Sequence, residues 1–244
     1  MKENKYDDEK FFNQYSQMSR SEDGLKGAGE WHVLQKMLPD FKGKRVLDLG
    51  CGFGWHCQYA IEQGAAYALG IDISKKMLEE ARKRNNSPQI EYRCMAIEDF
   101  DYTPESYDVV ISSLTFHYLE SFPDICAKVK RCLTPGGTFV FSVEHPVFTA
   151  YGSQDWYHDK QGNILHWPVD RYFTEGKREA IFLGEKITKY HKTLTTYVNG
   201  LIQNGFEITG LIEPEPDMAL LDTIPGMRDE LRRPMMLLVS AVKK

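Results

Sequence analysis

The chain predicts an α/β fold: a doubly wound parallel sheet with helices on both faces. Three observations carry this. Short β-branched runs alternate with helix-period segments from residue 45 onward, the pattern of βα units. The first of those runs feeds directly into a loop with glycine at 50, 52 and 54. Composition is ordinary for a globular chain, with 42% hydrophobic and 27% charged residues over 244 positions. That excludes disorder and suits one α/β domain with an insertion, undivided by repeats or Gly/Ser linkers.

Each element follows from local pattern. Residues 9–18 and 30–38 read as helices ahead of the sheet. The first strand is Arg45-Val-Leu-Asp-Leu49, and the helix after the glycine loop, 55–63, stops at Gly64. Strand two, 67–72, leads to Ser74, an N-cap for a helix reaching 85 that buries Met77, Leu78 and Ala81. Strands three and four fall at 91–95 and 107–112, with a short helix between them. In 124–133, Ile125, Val129 and Leu133 recur every four residues, marking a helix; Thr134-Pro-Gly-Gly137 then turns into strand five, 138–143. The alternation breaks at His145. Residues 146–190 are rich in aromatics (Phe148, Tyr151, Trp156, Tyr157, Trp167, Tyr172, Phe173, Phe182, Tyr190) and read as an insertion with a hairpin around Glu175-Gly-Lys177. A helix at 193–203, stopped by Asn204-Gly205, a strand at 206–212 and the apolar run 235–242 complete the chain.

Charge narrows the partners. Thirty Lys and Arg against 35 Asp and Glu give a net charge of −5, unlike a basic nucleic-acid or anionic-membrane binder. The triplet Arg82-Lys-Arg84 shares its helix with Glu79 and Glu80, a solvated face rather than an RNA site. No apolar run approaches the ~18–20 residues of a membrane span. The start, residues 1–10, is polar and not a secretory leader, so the chain reads as cytoplasmic. Five cysteines, at 51, 57, 94, 126 and 132, form no Cys-x-x-Cys pair, and free thiols are expected. The seven histidines lack ligand spacing, so no metal site is expected.

Chemistry concentrates in Val46-Leu-Asp-Leu-Gly-Cys-Gly-Phe-Gly-Trp55. Glycines between a buried strand and a helix allow a tight turn and close approach of a ligand to free helix N–H groups. A dinucleotide fingerprint would need its third glycine at 55, where Trp55 stands. Asp72 ends strand two, 18 residues beyond Gly54, where a carboxylate can accept both hydroxyls of a ribose.

At this point the chain resembles the class I S-adenosylmethionine-dependent methyltransferases, most of all their small-molecule "type 11" branch. The likeness rests on Val-Leu-Asp-Leu-Gly-Cys-Gly-Phe-Gly at 46–54, Gly-Ile-Asp-Ile-Ser at 70–74, Tyr-Asp-Val-Val-Ile-Ser-Ser-Leu at 107–114 and Leu-Thr-Pro-Gly-Gly-Thr-Phe-Val-Phe at 133–141. It covers residues 44–145 and weakens toward the C-terminus. The resemblance implies a Rossmann-like seven-stranded sheet in the order 3-2-1-4-5-7-6, with strand 7 (235–242) antiparallel. It implies a single domain: an N-terminal helical cap (1–42), a cofactor-binding half (43–145), an inserted lid (146–190), and a closing helix with strands 6 and 7 (191–244). The cofactor would be S-adenosyl-L-methionine, leaving as S-adenosyl-L-homocysteine.

Carried over by position, Gly50, Gly52 and Gly54 would pass under the methionine part, with Asp48 holding the loop. Asp72 would take the ribose and Ile73 the adenine face. Cys51, Trp55 and Met77 would border the same ligand. Ala96, Ile97 and Glu98 match the stretch at the adenine edge; Ala96 stands where the family commonly has an acidic residue, leaving Glu98 as candidate partner for the adenine amino group. Ser112, Ser113 and Leu114 would flank the sulfonium. Tyr15-Ser-Gln-Met-Ser-Arg20 and Gly27-Ala-Gly-Glu-Trp31 resemble the cap of one subgroup, with Tyr15 and Arg20 as contacts, Arg20 for the cofactor carboxylate; a plain surface helix is the alternative.

Three histidines are candidates for acid–base work: His117 after strand four, His145 ending strand five, and His191 where the insertion returns. Strand ends converge in a doubly wound sheet, so His117 and His145 are expected in one crevice. The aromatic insertion reads as a lid over a small-molecule acceptor, or as a homodimer surface. The expected reaction is in-line methyl transfer to an O, N, S or C nucleophile. A non-catalytic S-adenosylmethionine binder and a nicotinamide oxidoreductase are the alternatives, with a macromolecular acceptor such as tRNA disfavoured by the acidic balance.

Overall fold

The computed structural model describes residues 4–244; residues 1–3 of the polar start lie outside them. Ahead of the sheet come α1 (Glu9–Ser16), a single turn α2 (Ser19–Glu22) and α3 (Trp31–Met37). The helix expected over 9–18 is therefore broken, because Met18 takes extended backbone between the first two. Asp8 caps α1 by accepting from the Phe11 N–H at 3.0 Å.

Then follow β1 (Arg45–Leu49), α4 (Trp55–Glu62), β2 (Tyr67–Asp72), α5 (Lys75–Arg84), β3 (Ile90–Cys94), β4 (Tyr107–Ser113), α6 (Phe122–Cys132) and β5 (Leu133–Glu144). These match the sequence reading within two residues, except that β5 begins at Leu133 rather than 138. Leu133 already pairs with Tyr107 and Thr138 with Val109, so the expected turn is a bulge inside the strand, with Gly136 at φ +75°.

The insertion builds α7 (Pro146–Ala150), a short ladder of β6 (Tyr157–His158) with β7 (Ile164–His166), and a hairpin of β8 (Gly176–Phe182) with β9 (Glu185–His191). The hairpin turn lies at Leu183 and Gly184, both left-handed (φ 51° and 72°), not around Glu175-Gly-Lys177. A leucine at a position that favours glycine or asparagine hides this two-residue turn from sequence patterns. After α8 (Leu194–Gln203) come β10 (Phe206–Ile212) and β11 (Met236–Lys243).

One sheet holds seven strands in the order β10-β11-β5-β4-β1-β2-β3. Only β11 runs antiparallel to its neighbours. Counted among these seven, the order is 3-2-1-4-5-7-6, as the resemblance implies. Side chains alternate between two core layers: Leu47, Leu49, Leu69 and Val110 join Phe116, Phe122, Phe139, Phe141 and Tyr197 on one face. Val46, Ala68, Val109 and Ile111 join Cys57 and Leu78 on the other. Both faces being covered, the central strands read as continuous apolar runs. Among the described residues no helix is long and apolar enough to cross a membrane.

Two further contacts set the roof. Phe11 of α1 is buried against Ala180 and Ile187 of the hairpin, with Tyr6, Tyr118 and Phe182 around them. Arg233 lies over Trp167 (4.1 Å to the ring centroid) and Phe148 (4.6 Å), which stack at 4.9 Å, and it pairs with Glu230. Several aromatics of the insertion therefore anchor it to the segment between β10 and β11 rather than face a ligand.

Candidate functional site

The glycine loop turns left-handed three times, at Gly50 (φ 76°), Gly52 (52°) and Gly54 (75°). A Cβ at Gly50 would come within 2.2 Å of Thr115 Oγ1, and at Gly54 within 2.2 Å of Tyr92 Oη. At Gly52 it would meet nothing within 4 Å, because this glycine faces a cavity of about 1110 Å³. Two of the glycines thus serve packing and the middle one serves access.

Asp72 fastens the loop. Its Oδ2 accepts from the Gly52 N–H and its Oδ1 from the Ser74 N–H, both at 2.9 Å. Ser74 in turn caps α5, its Oγ accepting from the Met77 N–H at 3.1 Å. Each Asp72 oxygen keeps a second acceptor position, which is what a vicinal diol requires. Burial pushes this carboxyl above its ordinary value, against the backbone N–H groups that hold it down.

The cavity gathers most of the sequence candidates. Asp72, Ile73, Met77, Cys51, Trp55, Ala96, Ile97, Glu98, Gly50, Gly52, Ser113, Leu114, Tyr15 and Arg20 all line it. Three do not line it. Gly54 is the left-handed N-cap of α4. Ser112 donates to the Leu49 carbonyl at 2.7 Å, joining β4 to β1. Asp48 does not hold the loop: its Oδ2 accepts from Cys57 Sγ at 3.6 Å, and Oδ1 has no partner among the described residues. With so little compensation, burial pushes the Asp48 carboxyl up to about 7.

The three histidines do not converge. His191 is buried with both ring nitrogens engaged, Nδ1 with Thr149 Oγ1 and Nε2 with the Tyr172 carbonyl, each at 2.8 Å. His145 is the N-cap of α7: its Nδ1 accepts from the Val147 N–H at 3.0 Å, while Nε2 faces Glu213 Oε1 at 2.7 Å. Neither lines the cavity, and both serve structure. His117 alone reaches it. Burial pushes the His117 imidazole down to about 3, so the ring is neutral. Its Nδ1 accepts from the Glu144 N–H at 3.3 Å, which places the ring proton on Nε2.

Further residues complete the walls, of which Phe182 and Tyr190 belong to the aromatic insertion noted in the sequence. Tyr6 and Tyr118 meet hydroxyl to hydroxyl at 3.1 Å, with Tyr15 edge-on to Tyr6 at 5.2 Å. Phe182, Ile187 and Tyr190 of the hairpin and Leu220, Ile224 and Met227 of the segment before β11 face the same space. Glu144, half-buried, is paired with the buried Lys189 of β9 and takes a hydrogen bond from Gln154 at 2.8 Å. Glu30, 1% exposed, takes Arg20 Nη2 at 2.6 Å. A Glu-Trp step before a helix carries no signal of burial, and the pairing depends on residues ten positions apart.

A switch-point crevice with a glycine loop after β1, a half-buried acid ending β2 and a roofed cavity defines a Rossmann-like nucleoside-cofactor enzyme. Comparison with known proteins agrees and goes further. A methyltransferase-domain family model matches residues 47–141. A Listeria monocytogenes crystal structure assigned to the S-adenosylmethionine-dependent methyltransferases is 61% identical, with a TM-score of 0.86 over 91% of this chain and 99% of that one. A Mesorhizobium loti S-adenosylmethionine-dependent methyltransferase is 43% identical, with a TM-score of 0.83 over 90% of this chain and all of that one (100%). The chain belongs to the class I S-adenosylmethionine-dependent methyltransferases, and S-adenosyl-L-methionine is its cofactor. A Haemophilus influenzae relative is 34% identical over 98% of this chain and 96% of its own length, and other curated relatives match over shorter stretches. A Neisseria meningitidis ubiquinone biosynthesis O-methyltransferase is 36% identical over 47% of this chain and 54% of its own length. A Hahella chejuensis tRNA U34 carboxymethyltransferase is 32% identical over 65% of this chain and 45% of its own.

Proposed function

We propose that the protein transfers the methyl group of S-adenosylmethionine to a small-molecule acceptor with an aromatic or apolar part. The observation that carries this is the continuity of the cavity: one space of about 1110 Å³ runs from Asp72 and the glycine loop to Phe182, Ile187, Tyr190 and Tyr118. That is room for a cofactor plus a modest second ligand, and too little to enclose a folded polynucleotide and shield it from water. The net charge of −5 supports the same reading, although two curated relatives are tRNA U34 carboxymethyltransferases.

In this reading Asp72 holds the ribose hydroxyls, and Ile73, Met77 and the 96–98 stretch hold the adenine, with Glu98 at its edge. Ser113 and Leu114 end β4 beside the reacting centre. When bound, the cofactor supplies a methyl group on a positively charged sulfur, already electrophilic. The remaining work is alignment of the acceptor and removal of water, which the tyrosine and hairpin walls perform. His117, neutral with its proton on Nε2, orients the acceptor by donating a hydrogen bond; it takes no proton unless its Nδ1 gives up the Glu144 N–H.

The test uses S-adenosylmethionine labelled in the methyl group, incubated with the protein and with separated small-molecule, tRNA and protein fractions. Label is expected in the small-molecule fraction, and Asp72→Ala is expected to lose S-adenosylhomocysteine binding by about 100-fold or more, the worth of two charge-assisted hydrogen bonds. Label confined to tRNA would overturn the acceptor class. Tight cofactor binding with no label in any fraction would leave a binding protein.

A further inference from the structure

Lys192 is a buried cation without a counter-ion. It lies between β9 and α8 and is 3% exposed. Its Nζ donates to the carbonyls of Phe116, Leu119 and Tyr190, and it forms no ion pair among the described residues. Three acceptors on one nitrogen call for three N–H donors, which the ammonium has and the neutral amine lacks. Burial pulls Lys192 down to about 8, so it keeps its charge at neutral pH. The carboxylates that act on it, Glu175 and Glu120, are both exposed. A buried charge left uncompensated is unfavourable, and an anion nearby relieves it.

The turn that Lys192 holds carries His117 and Tyr118, and both line the cavity. His117 is 2% exposed, with Nδ1 occupied by the Glu144 N–H. Its protonated Nε2 has no partner among the described residues, yet it is not one of the polar atoms sealed off from any neighbour. That proton therefore faces the cavity. Tyr6 and Tyr118 share one hydrogen bond between their hydroxyls, which leaves one O–H for a ligand. The other charges that act on His117 are already matched: Arg20 by Glu30, and Lys189 by Glu144.

None of these groups is free to take a proton. Glu144 spends Oε1 on Lys189 and Oε2 on Gln154. Burial pushes the Tyr6 and Tyr118 hydroxyls up, so both stay protonated. An acceptor that must lose a proton during transfer has nowhere here to leave it.

We propose that the acceptor enters this cavity as an organic oxyanion, a carboxylate or acidic phenolate on an apolar body. His117 Nε2–H and the free tyrosine O–H hold the oxygen, and Lys192 behind the turn supplies the matching charge. The inference rests on the methyl-transfer reading above. The acceptor oxygen bonds the methyl carbon as the carbon–sulfur bond breaks; the electron pair stays on sulfur, and no proton moves. An anion and a sulfonium give a neutral ester or ether and a neutral thioether, a change favoured where water is excluded. A tertiary amine would also lose no proton, but it would become a second cation beside Lys192.

The test uses methyl-labelled S-adenosylmethionine and a small-molecule extract split on an anion exchanger at neutral pH. Acceptor activity is expected in the retained fraction, and the labelled product should carry one negative charge fewer. Labelled methanol released by mild alkali marks an ester; label that stays bound marks an aryl ether. Lys192→Met is expected to raise the acceptor KM about 10-fold and leave S-adenosylhomocysteine affinity within about twofold, with Lys192→Arg restoring most of the loss. If Lys192→Met does not fold, His117 decides: His117→Leu should raise the same KM about 10-fold, and His117→Gln, whose amide still donates, clearly less. Acceptor activity in the unretained fraction, a product held by a cation exchanger, or an unchanged KM in the folded variants overturns the proposal. No label in any small-molecule fraction would instead overturn the methyl-transfer reading beneath it.

Discussion

Asp48 and the loop glycines show how individual positions divide between fold and ligand. Gly52→Ala places a Cβ in open cavity at φ 52°, so it should cost the fold only about 1–2 kcal/mol of backbone strain while obstructing the cofactor. Gly54→Ala adds a collision with Tyr92 and should cost roughly 2–4 kcal/mol. Denaturant melts and S-adenosylhomocysteine titration of the two variants should therefore rank them oppositely. Asp48 makes a separate prediction. Its carboxyl sits at about 7 when folded against 3.8 when free, so the folded state holds the proton more tightly. That stabilisation is whole below about pH 4 and is lost as pH rises through 7. Asp48→Asn should then melt higher than the unaltered protein at pH 8, by on the order of 1–4 kcal/mol, and lose the advantage near pH 4. An equal difference at both pH values would show that Asp48 is not the titrating group.

At the scale of elements, the cap and the hairpin hold each other. Phe11 of α1 is wholly buried against Ala180 of β8 and Ile187 of β9. Lys10 and Glu185 add an exposed pair at 2.9 Å, worth little by itself. The cap is also tied to the sheet layer, because Asp7 accepts from Ser74 Oγ at 2.6 Å and from the Lys76 N–H at 3.1 Å at the start of α5. Phe11→Ala should cost about 3–5 kcal/mol of local packing. Hydrogen exchange should then quicken together in α1 and in β8–β9, and leave β1 and β4 protected; quickening in α1 alone would mean that the two roof elements are independent. On the other side of the hairpin, Lys192 offers its ammonium to the carbonyls of Phe116, Leu119 and Tyr190, which steadies the turn that carries His117 and Tyr118.

The molecule as a whole is a seven-stranded sheet whose cavity is closed by three segments far apart in the chain: the cap, the hairpin and the stretch between β10 and β11. A ligand that bridges sheet and roof stabilises all of them together. At 100 times its dissociation constant it contributes about 2.7 kcal/mol, a rise in melting temperature of about 5–10 °C for a chain of this size. S-adenosylhomocysteine should give that rise, and a nicotinamide dinucleotide should give none. A rise with the dinucleotide alone would contradict the placement of the ligand over Gly52.

The strands themselves, the glycine loop and the position of Asp72 were legible in the residues, because each leaves its mark within about twenty positions; the order of the strands came only from the family resemblance, since it joins residues as far apart as Val46 and Val109 or Phe141 and Val239. A buried strand, a turn that needs left-handed backbone and a helix cap all leave local marks, as Ser74 and Gly64 do. The three histidines looked alike by the same local criteria, and packing separated them: Thr149 and Tyr172 occupy His191, α7 occupies His145, and His117 is left at the cavity. Asp48 and Glu30 differ in the same way. Both are buried acids, but Arg20 reaches only Glu30. Burial and pairing are set by side chains that sequence places far apart, so folding alone decided which charged and ionisable groups face the cavity.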